Sequence, residues 1–118
     1  MSNKYTSDSK KQFEGKVVII TGSTQGSGAE TAKLFAARGA KAITICGRQE
    51  NKGIQIKKEI EELGSKCLYV KADLSKVEDC KKIVALTDKE FGTVHSLVNV
   101  AGHTERGTIL SATLENYE

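Results

Sequence analysis

Residue types that define specialised classes of protein are scarce in this sequence. Cysteine occurs three times, at Cys46, Cys67 and Cys80, and no pair of cysteines has Cys-x-x-Cys spacing. An odd and scattered set indicates neither a disulfide framework nor a zinc site. We therefore predict no metal ligands, and we expect the three thiols to be small core side chains in a reducing compartment.

Long apolar runs and aromatic residues are scarce as well. No segment approaches the roughly 20 apolar residues that a membrane-spanning helix needs. The polar leader, residues 1–12, contains no hydrophobic segment for secretion. The net charge is only +3, tryptophan is absent, and the basic residues are interleaved with acids. These features predict a cytoplasmic protein that binds neither a membrane nor a nucleic acid.

The remaining composition is that of an ordinary globular domain. Hydrophobic residues make up 38% of the chain and charged residues 28%. A length of 118 residues suits one domain and is sufficient for a core of its own. We predict a flexible polar tail over residues 1–12 and one folded domain over residues 13–118.

A glycine-rich turn joins an apolar run, residues 17–20, to an amphipathic helical pattern. The turn reads Gly22, Ser23, Thr24, Gln25, Gly26, Ser27, Gly28. Without Cβ atoms, Gly22 permits a tight turn, Gly26 lets backbone N–H groups approach a diphosphate, and Gly28 lets the helix lie close to the strand. The helix start adds unpaired N–H donors and a positive dipole end. This context favours a dinucleotide-binding turn over a plain surface turn, and no Gly-Lys-Ser/Thr triplet follows to indicate a P-loop.

Glycine also marks the ends of the predicted helices. Helical patterns end near Gly39, Gly64 and Gly92, as is typical of helix-terminating glycines. The strand-like runs begin near Lys16, Lys41, Lys66 and His95. Alternating strands and helices, with strands that are apolar almost throughout, predict a doubly wound parallel α/β sheet with helices on both faces.

Each predicted helix has one apolar face at helical spacing. These faces comprise Ala29, Ala32, Phe35 and Ala36 in the first helix, Ile56, Ile60 and Leu63 in the second, and Val77, Cys80, Val84, Thr87 and Phe91 in the third. We expect these residues to pack on the sheet.

Ligands of doubly wound sheets lie beyond the carboxyl ends of the strands. Arg48 follows the second strand, where an arginine can bind an adenosine 2′-phosphate through two hydrogen bonds, which favours NADP(H) over NAD(H). The alternative is a solvated Arg48, with Glu50 as the acid that binds the ribose.

Asp73 follows the third strand and is placed to accept a hydrogen bond from the adenine amino group. Alternatively, Asp73 or Ser75 caps the next helix.

Three motifs together resemble the short-chain dehydrogenase/reductase family in its shorter, single-domain type. They are Thr21-Gly22-x-x-x-Gly26-x-Gly28, Asp73-Leu74 and Asn99-x-Ala101-Gly102. The resemblance covers residues 13–118 and corresponds to the amino-terminal half of a typical member. It implies a Rossmann fold, a nicotinamide cofactor and hydride transfer to or from a small-molecule carbonyl or alcohol.

The same resemblance implies individual roles for the residues of these motifs. The turn from Gly22 to Gly28 would hold the pyrophosphate, and Arg48 would select the 2′-phosphate. Asp73 and Leu74 would border the adenine. Asn99, Ala101 and Gly102 would line the ribose and brace the central sheet.

The sequence departs from the family pattern in three ways. Ser27 stands where an aliphatic residue is usual, and Val100 stands where the second asparagine of Asn-Asn-Ala-Gly is usual. The family's catalytic serine, tyrosine and lysine are not identified, because no tyrosine here is followed four residues later by lysine. We therefore assign no catalytic residue within these 118 residues.

Two hypotheses follow from this combination. In the first, the chain is the cofactor-binding half of a longer NADP(H)-dependent oxidoreductase, whose sheet is cut after the fourth strand. In the second, it is a catalytically inactive nucleotide-binding or interaction protein. The apolar fourth strand, with Leu97, Val98 and Val100, would leave an open edge that favours association, so a homo-oligomer is a further alternative.

Overall fold

The computed structural model describes residues 12–22 and 26–100. Strands and helices alternate in this part of the chain: β1 (Val17–Thr21), α1 (Gly26–Ala37), β2 (Ala42–Gly47), α2 (Glu50–Glu62), β3 (Lys66–Lys71), α3 (Val77–Phe91) and β4 (Ser96–Asn99). Every strand begins within one residue of its predicted start. The tail predicted for residues 1–12 lies outside the described residues except at its last position.

The strands form one parallel sheet in the order β3-β2-β1-β4. The chain moves outward from β1 through β2 to β3, then returns to place β4 on the other side of β1. This reversal creates a topological switch point between the carboxyl ends of β1 and β4. The predicted doubly wound parallel architecture is confirmed.

Alternation along the strands divides the core between the two faces of the sheet. Val18 and Ile20 of β1 pack in one cluster with α1 and α2, whereas Ile19 packs in a second cluster with α3. All five residues of β1 are buried. The near-continuous apolar character of the strand follows from this burial on both sides.

Helix α1 lies on the sheet through small side chains. Ala29, Ala32 and Ala36 are buried against β1 and β2 in the first cluster. Alanine at these positions permits a close approach between helix and sheet. A 2.7 Å ion pair between Lys33 and Glu59 then joins α1 to α2 at the surface.

Two residues assigned to apolar helix faces are exposed, so those assignments were wrong. Leu63 is 41% exposed because α2 ends at Glu62 and Leu63 is its C-cap, with αR backbone angles. Val77 is 44% exposed because it is the first residue of α3 and precedes the turns that carry that helix's buried residues. In both cases the periodic pattern was correct within the helix, but we had included one residue too many at the helix end.

The glycines predicted to follow helices have the expected left-handed backbone. Their φ angles are 94° at Gly39, 106° at Gly64 and 83° at Gly92. Gly92 is the C-cap of α3, and its N–H donates to the Asp88 carbonyl at 2.7 Å. Among the described helices, none is long and apolar enough to cross a membrane.

Candidate functional site

The carboxyl ends of the four parallel strands meet at one edge of the sheet. The predicted site residues at or just beyond this edge are Gly22, Arg48, Asp73, Leu74 and Asn99. Ser23, Thr24, Gln25, Ala101 and Gly102 belong to the same prediction but lie outside the described residues. These described residues are up to 77 positions apart in the sequence, and the parallel topology brings them to one edge of the sheet.

The glycine-rich turn has the backbone that glycine permits. Gly22 has a φ of 66° and Gly26 a φ of 59°, both in the left-handed region that other residues rarely adopt. A Cβ added to Gly26 would meet no atom within 4 Å, so the space above this backbone is open. Glycine is favoured at position 26 because of its left-handed backbone, and not because neighbouring atoms would crowd a side chain.

The start of α1 combines helix packing with an uncompensated dipole. Gly28 is buried on the sheet side, whereas Ser27 is exposed and its carbonyl accepts a 2.8 Å hydrogen bond from the Thr31 hydroxyl. The first turn of α1 contains no acidic residue. Its positive end is therefore not neutralised by a carboxylate of the same turn, which suits binding of an anion.

Thr21 and Asn99 face each other at the switch point. They are register partners at the ends of β1 and β4, and the Thr21 hydroxyl donates to Asn99 Oδ1 at 2.7 Å. Thr21 is fully buried. The sequence motif included Thr21, but sequence reasoning gave it no role in the site. The available signal was a polar residue at the end of an otherwise apolar buried strand.

Val100 replaces a polar residue of the family pattern and packs into the core. Its side chain is half-buried against the first cluster, and its N–H donates to the Thr21 carbonyl at 3.3 Å. The substitution therefore exchanges a side-chain amide for apolar packing while the backbone continues the pairing of β4 with β1.

Arg48 is exposed immediately after β2, and Asp73 follows β3 next to it. Hydrogen bonds from Ser75 are the largest cause of the lowered pKa of Asp73, and the positive charge of Arg48 makes a smaller contribution in the same direction. Glu50, the alternative ribose-binding acid, is also exposed and begins α2. Both candidates for recognition of the adenosine ribose thus stand on one short turn, residues 48–50.

Asp73 organises the loop between β3 and α3 instead of capping the helix. Its Oδ1 accepts hydrogen bonds from the Ser75 hydroxyl at 2.7 Å and from the Ser75 N–H at 2.9 Å. These two bonds are the main reason that the pKa of Asp73 is lowered. The N-cap of α3 is Lys76, without a side-chain cap bond. The predicted capping by Asp73 or Ser75 was therefore wrong.

Two further contacts fix the same loop. The Asp73 N–H donates to Asp79 Oδ2 at 2.7 Å, which ties the loop to the first turn of α3. Leu74 is half-buried against the second cluster. Asp73 is thereby held at the carboxyl edge of the sheet, near Arg48.

The three cysteines are free and buried, as expected from the sequence. Burial raises the pKa of the Cys46 thiol to about 12, with a smaller contribution from the nearby Cys80. Burial likewise raises the pKa of Cys67 to about 12. These thiols remain protonated at neutral pH and are poor nucleophiles. Within residues 12–22 and 26–100, no cluster of His, Cys, Asp or Glu has the arrangement of a metal site.

Sequence comparison relates this arrangement to a known family. Residues 16–118 match the family described as short chain dehydrogenase. The 11-beta-hydroxysteroid dehydrogenase A of Sesamum indicum is 42% identical over 89 residues, covering 75% of this chain and 25% of the relative. An uncharacterized oxidoreductase of Thermotoga maritima is 37% identical over 106 residues, covering 90% of this chain and 41% of the relative.

Structural comparison gives the same architecture. A crystal structure of hydroxysteroid dehydrogenase from Escherichia coli aligns with a TM-score of 0.84 over 93% of this chain and 55% of that chain. Its sequence identity to this chain is 22%, so the likeness is one of fold. The chain thus spans from about a quarter to about half of the length of these proteins.

Proposed function

Because this chain belongs to the short-chain dehydrogenase/reductase family, we propose that it supplies the cofactor-binding half of an NADP(H)-dependent oxidoreductase. The proposal rests on one observation above all. The glycine turn, Arg48, Asp73 and Asn99 converge on the carboxyl edge of a doubly wound sheet, where such folds bind their ligands.

The residues at this edge fit a nicotinamide dinucleotide, which supplies hydride transfer when bound. Gly22 and Gly26 have left-handed backbone, the space at Gly26 is open, and the following helix has no acid in its first turn. These features suit the pyrophosphate. Ser23, Thr24, Gln25, Ser27 and Gly28 complete the proposed pyrophosphate site.

Other residues at the carboxyl edge of the sheet would serve the ribose and the adenine. Asn99 is held by the Thr21 hydroxyl beside the crevice between β1 and β4. We assign Asn99, with Ala101 and Gly102, to the ribose, and Asp73 with Leu74 to the border of the adenine. These residues bind and orient the cofactor, and none of them is assigned a proton-transfer step.

Arg48 is the basis for preferring NADP(H) to NAD(H). It is exposed at the end of β2, on the turn that follows Gly47, and it forms no salt bridge to another described residue. An exposed guanidinium there is suited to bind a 2′-phosphate through charge-assisted hydrogen bonds. Glu50 would repel the same phosphate, so the preference depends on which side chain faces the ribose.

The substrate proposed for the longer form is a small-molecule carbonyl or alcohol. The Sesamum indicum and Escherichia coli proteins are both named as hydroxysteroid dehydrogenases, which supports alcohol oxidation or carbonyl reduction as the reaction type. The three buried free thiols support the proposed cytoplasmic location. An inactive nucleotide-binding or interaction protein is the competing proposal.

Calorimetric titration of the chain with NADPH, NADH and adenosine 2′,5′-bisphosphate tests the cofactor proposal. We expect NADPH to bind more tightly than NADH, and the bisphosphate to bind as well. Arg48→Asp should abolish the preference for the 2′-phosphate, while Glu50→Gln should preserve or increase it. Equal binding of NADPH and NADH would contradict the assignment of Arg48, and no binding of any dinucleotide would contradict the cofactor site.

A further inference from the structure

Tyr69 of β3 contacts the last residue of the neighbouring strand. Its hydroxyl donates a 2.9 Å hydrogen bond to the carbonyl of Gly47, the final residue of β2. In the parallel register, Gly47 pairs with Lys71 and Tyr69 pairs with Ile45. The tyrosine side chain therefore reaches along β2 toward its carboxyl end, where the turn that carries Arg48 begins.

The ring of Tyr69 also packs on the start of α2. Gly53 is buried in that helix, and a Cβ added to it would lie less than 3.0 Å from three atoms of the Tyr69 ring. Glycine weakens a helix interior, so a buried helical glycine usually has a packing reason. Here the reason is the ring that occupies the space of the missing side chain.

These two contacts bracket the β2–α2 turn, which we define as residues 47–53. The turn contains Arg48, then Gln49 as the N-cap of α2, and Gln49 makes no side-chain cap hydrogen bond. The Gly53 N–H donates to the Gln49 carbonyl at 3.1 Å. The turn thus lacks a side-chain cap of its own, and Tyr69 contacts both of its ends.

We propose that Tyr69 is a positioning residue that fixes the β2–α2 turn and thereby holds Arg48 in place for a 2′-phosphate. The part concerning the phosphate rests on the proposed function. The part concerning the turn rests only on the two contacts of Tyr69. Burial, and to a smaller extent the Glu50 carboxylate, raise the pKa of Tyr69, which keeps its hydroxyl available as a donor.

Tyr69→Phe tests the proposal because it removes the hydroxyl and keeps the ring. We expect binding of adenosine 2′,5′-bisphosphate to weaken by about threefold to tenfold, the range of one neutral hydrogen bond. Binding of 5′-AMP, which lacks the 2′-phosphate, should change by less than about twofold. The ratio of the two affinities is the decisive readout, since general loss of stability would not change it selectively.

Thr87→Val is the matched control for a lost hydroxyl. Thr87 is buried on the α3 side of the sheet, away from the β2–α2 turn. We expect this variant to lose stability without a change in the affinity ratio. Where the unmodified chain prefers the bisphosphate to 5′-AMP, an equal weakening of both ligands by Tyr69→Phe, or of neither, would contradict the positioning role.

Gly53→Ala provides a second variant that acts on the same contact from the other side. The new methyl group must displace the Tyr69 ring, so we expect the same selective loss of bisphosphate binding. In the Gly53→Ala variant, adding Tyr69→Phe should have little further effect on the ratio of the two affinities, because both changes loosen the same β2–α2 turn. Independent, additive effects would overturn the proposal.

Amide hydrogen exchange over residues 47–53 separates the two parts of the proposal. Tyr69→Phe should speed exchange in this segment, while exchange across β1 stays unchanged. If the unmodified chain shows no preference for the 2′-phosphate, the proposed function is wrong on that point, and exchange alone decides whether Tyr69 fixes the turn. Unchanged exchange in the variant would overturn the positioning role.

Discussion

The Thr21 hydroxyl donates a 2.7 Å hydrogen bond to the Asn99 side-chain oxygen and so joins the carboxyl ends of β1 and β4. The two residues are 78 positions apart in the sequence, and the bond lies at the point where the order of strands reverses. One buried hydroxyl thereby contacts the side chain that we assign to the cofactor ribose.

Thr21→Val should loosen this junction. The variant keeps the shape of the side chain but removes the donor to Asn99, so we expect a loss of about 0.5–1.5 kcal/mol of unfolding free energy. Dinucleotide binding should weaken because Asn99 loses its hydrogen bond from Thr21. Denaturant unfolding and calorimetric titration measure the two effects.

Ser65→Ala is the control for the Thr21 variant. Ser65 is also buried, and its hydroxyl donates to the Ala40 carbonyl, before the start of β3 and thus at the opposite edge of the sheet. This variant should lose stability while its dinucleotide affinity stays the same. Equal dinucleotide affinity in the Thr21→Val variant and the unmodified chain would contradict the role given to the Thr21–Asn99 bond.

A second pair of threonines joins α3 to the sheet. Thr44 of β2 and Thr87 of α3 are fully buried, and their hydroxyl oxygens lie 2.8 Å apart. Thr87 also contacts the Ile83 carbonyl at 2.7 Å. Each hydroxyl has one proton, so Thr87 donates to the carbonyl and accepts the proton of Thr44.

Removing one member of this pair should cost more than removing both. Thr87→Val leaves the Thr44 hydroxyl buried without its acceptor, and we expect a loss of about 1–3 kcal/mol of unfolding free energy. The double variant Thr44→Val with Thr87→Val should recover much of that loss. A double-mutant cycle from urea unfolding measures the coupling, and strictly additive losses would show that the hydroxyls do not interact.

The sequence predicted the architecture well because its signals are local. Apolar β-branched runs placed every strand start within one residue, and Gly39, Gly64 and Gly92 marked the helix ends. Once the strands are parallel, their carboxyl ends share an edge, so Arg48 and Asp73 were both expected at that edge. The errors at Leu63 and Val77 arose at helix ends, where periodicity alone does not say which residue is last.

Contacts between distant segments were not predictable in the same way. The Thr21–Asn99 bond requires β4 to lie next to β1, and this strand order is not encoded in either local pattern. Tyr69 was rejected as a catalytic tyrosine and given no other role, since its packing on Gly53 depends on the register of β3 against β2. Asp73 preceded a helical run at capping distance, but its carboxylate is engaged by Ser75 two residues before α3 begins.

The buried thiols predict a specific response to alkaline pH. The pKa of Cys46 is raised from its ordinary value of 9.0 to about 12 in the folded chain. Its contribution to stability is therefore complete below pH 9 and is lost as the pH rises toward 12. Urea unfolding between these pH values should show a smaller pH dependence in Cys46→Ala than in the unmodified chain.

Thiol labelling gives an independent check on the same groups. At pH 8, the three cysteines of the folded chain should react far more slowly with a disulfide reagent than those of the urea-unfolded chain, because burial excludes the reagent and disfavours the thiolate. Rapid labelling of any cysteine in the folded chain would contradict the burial of its side chain.

His95 joins the start of β4 to the start of β1 through two hydrogen bonds to Val17. Its Nδ1 accepts a 2.9 Å hydrogen bond from the N–H of Val17, and its own N–H donates to the Val17 carbonyl at 2.9 Å. Val17 is fully buried. The imidazole therefore satisfies a buried backbone donor at the start of β1.

His95→Ala should destabilise the fold by about 1–3 kcal/mol, because it leaves the Val17 N–H buried without its acceptor. His95→Asn is the matched variant, since an asparagine side-chain oxygen can reach nearly the same position as Nδ1. We expect Asn to recover a substantial part of the loss in urea unfolding, with dinucleotide affinity unchanged in both variants because His95 lies at the amino edge of the sheet. Equal destabilisation by Ala and Asn would show that packing of the imidazole, and not its hydrogen bond to Val17, stabilises the start of β1.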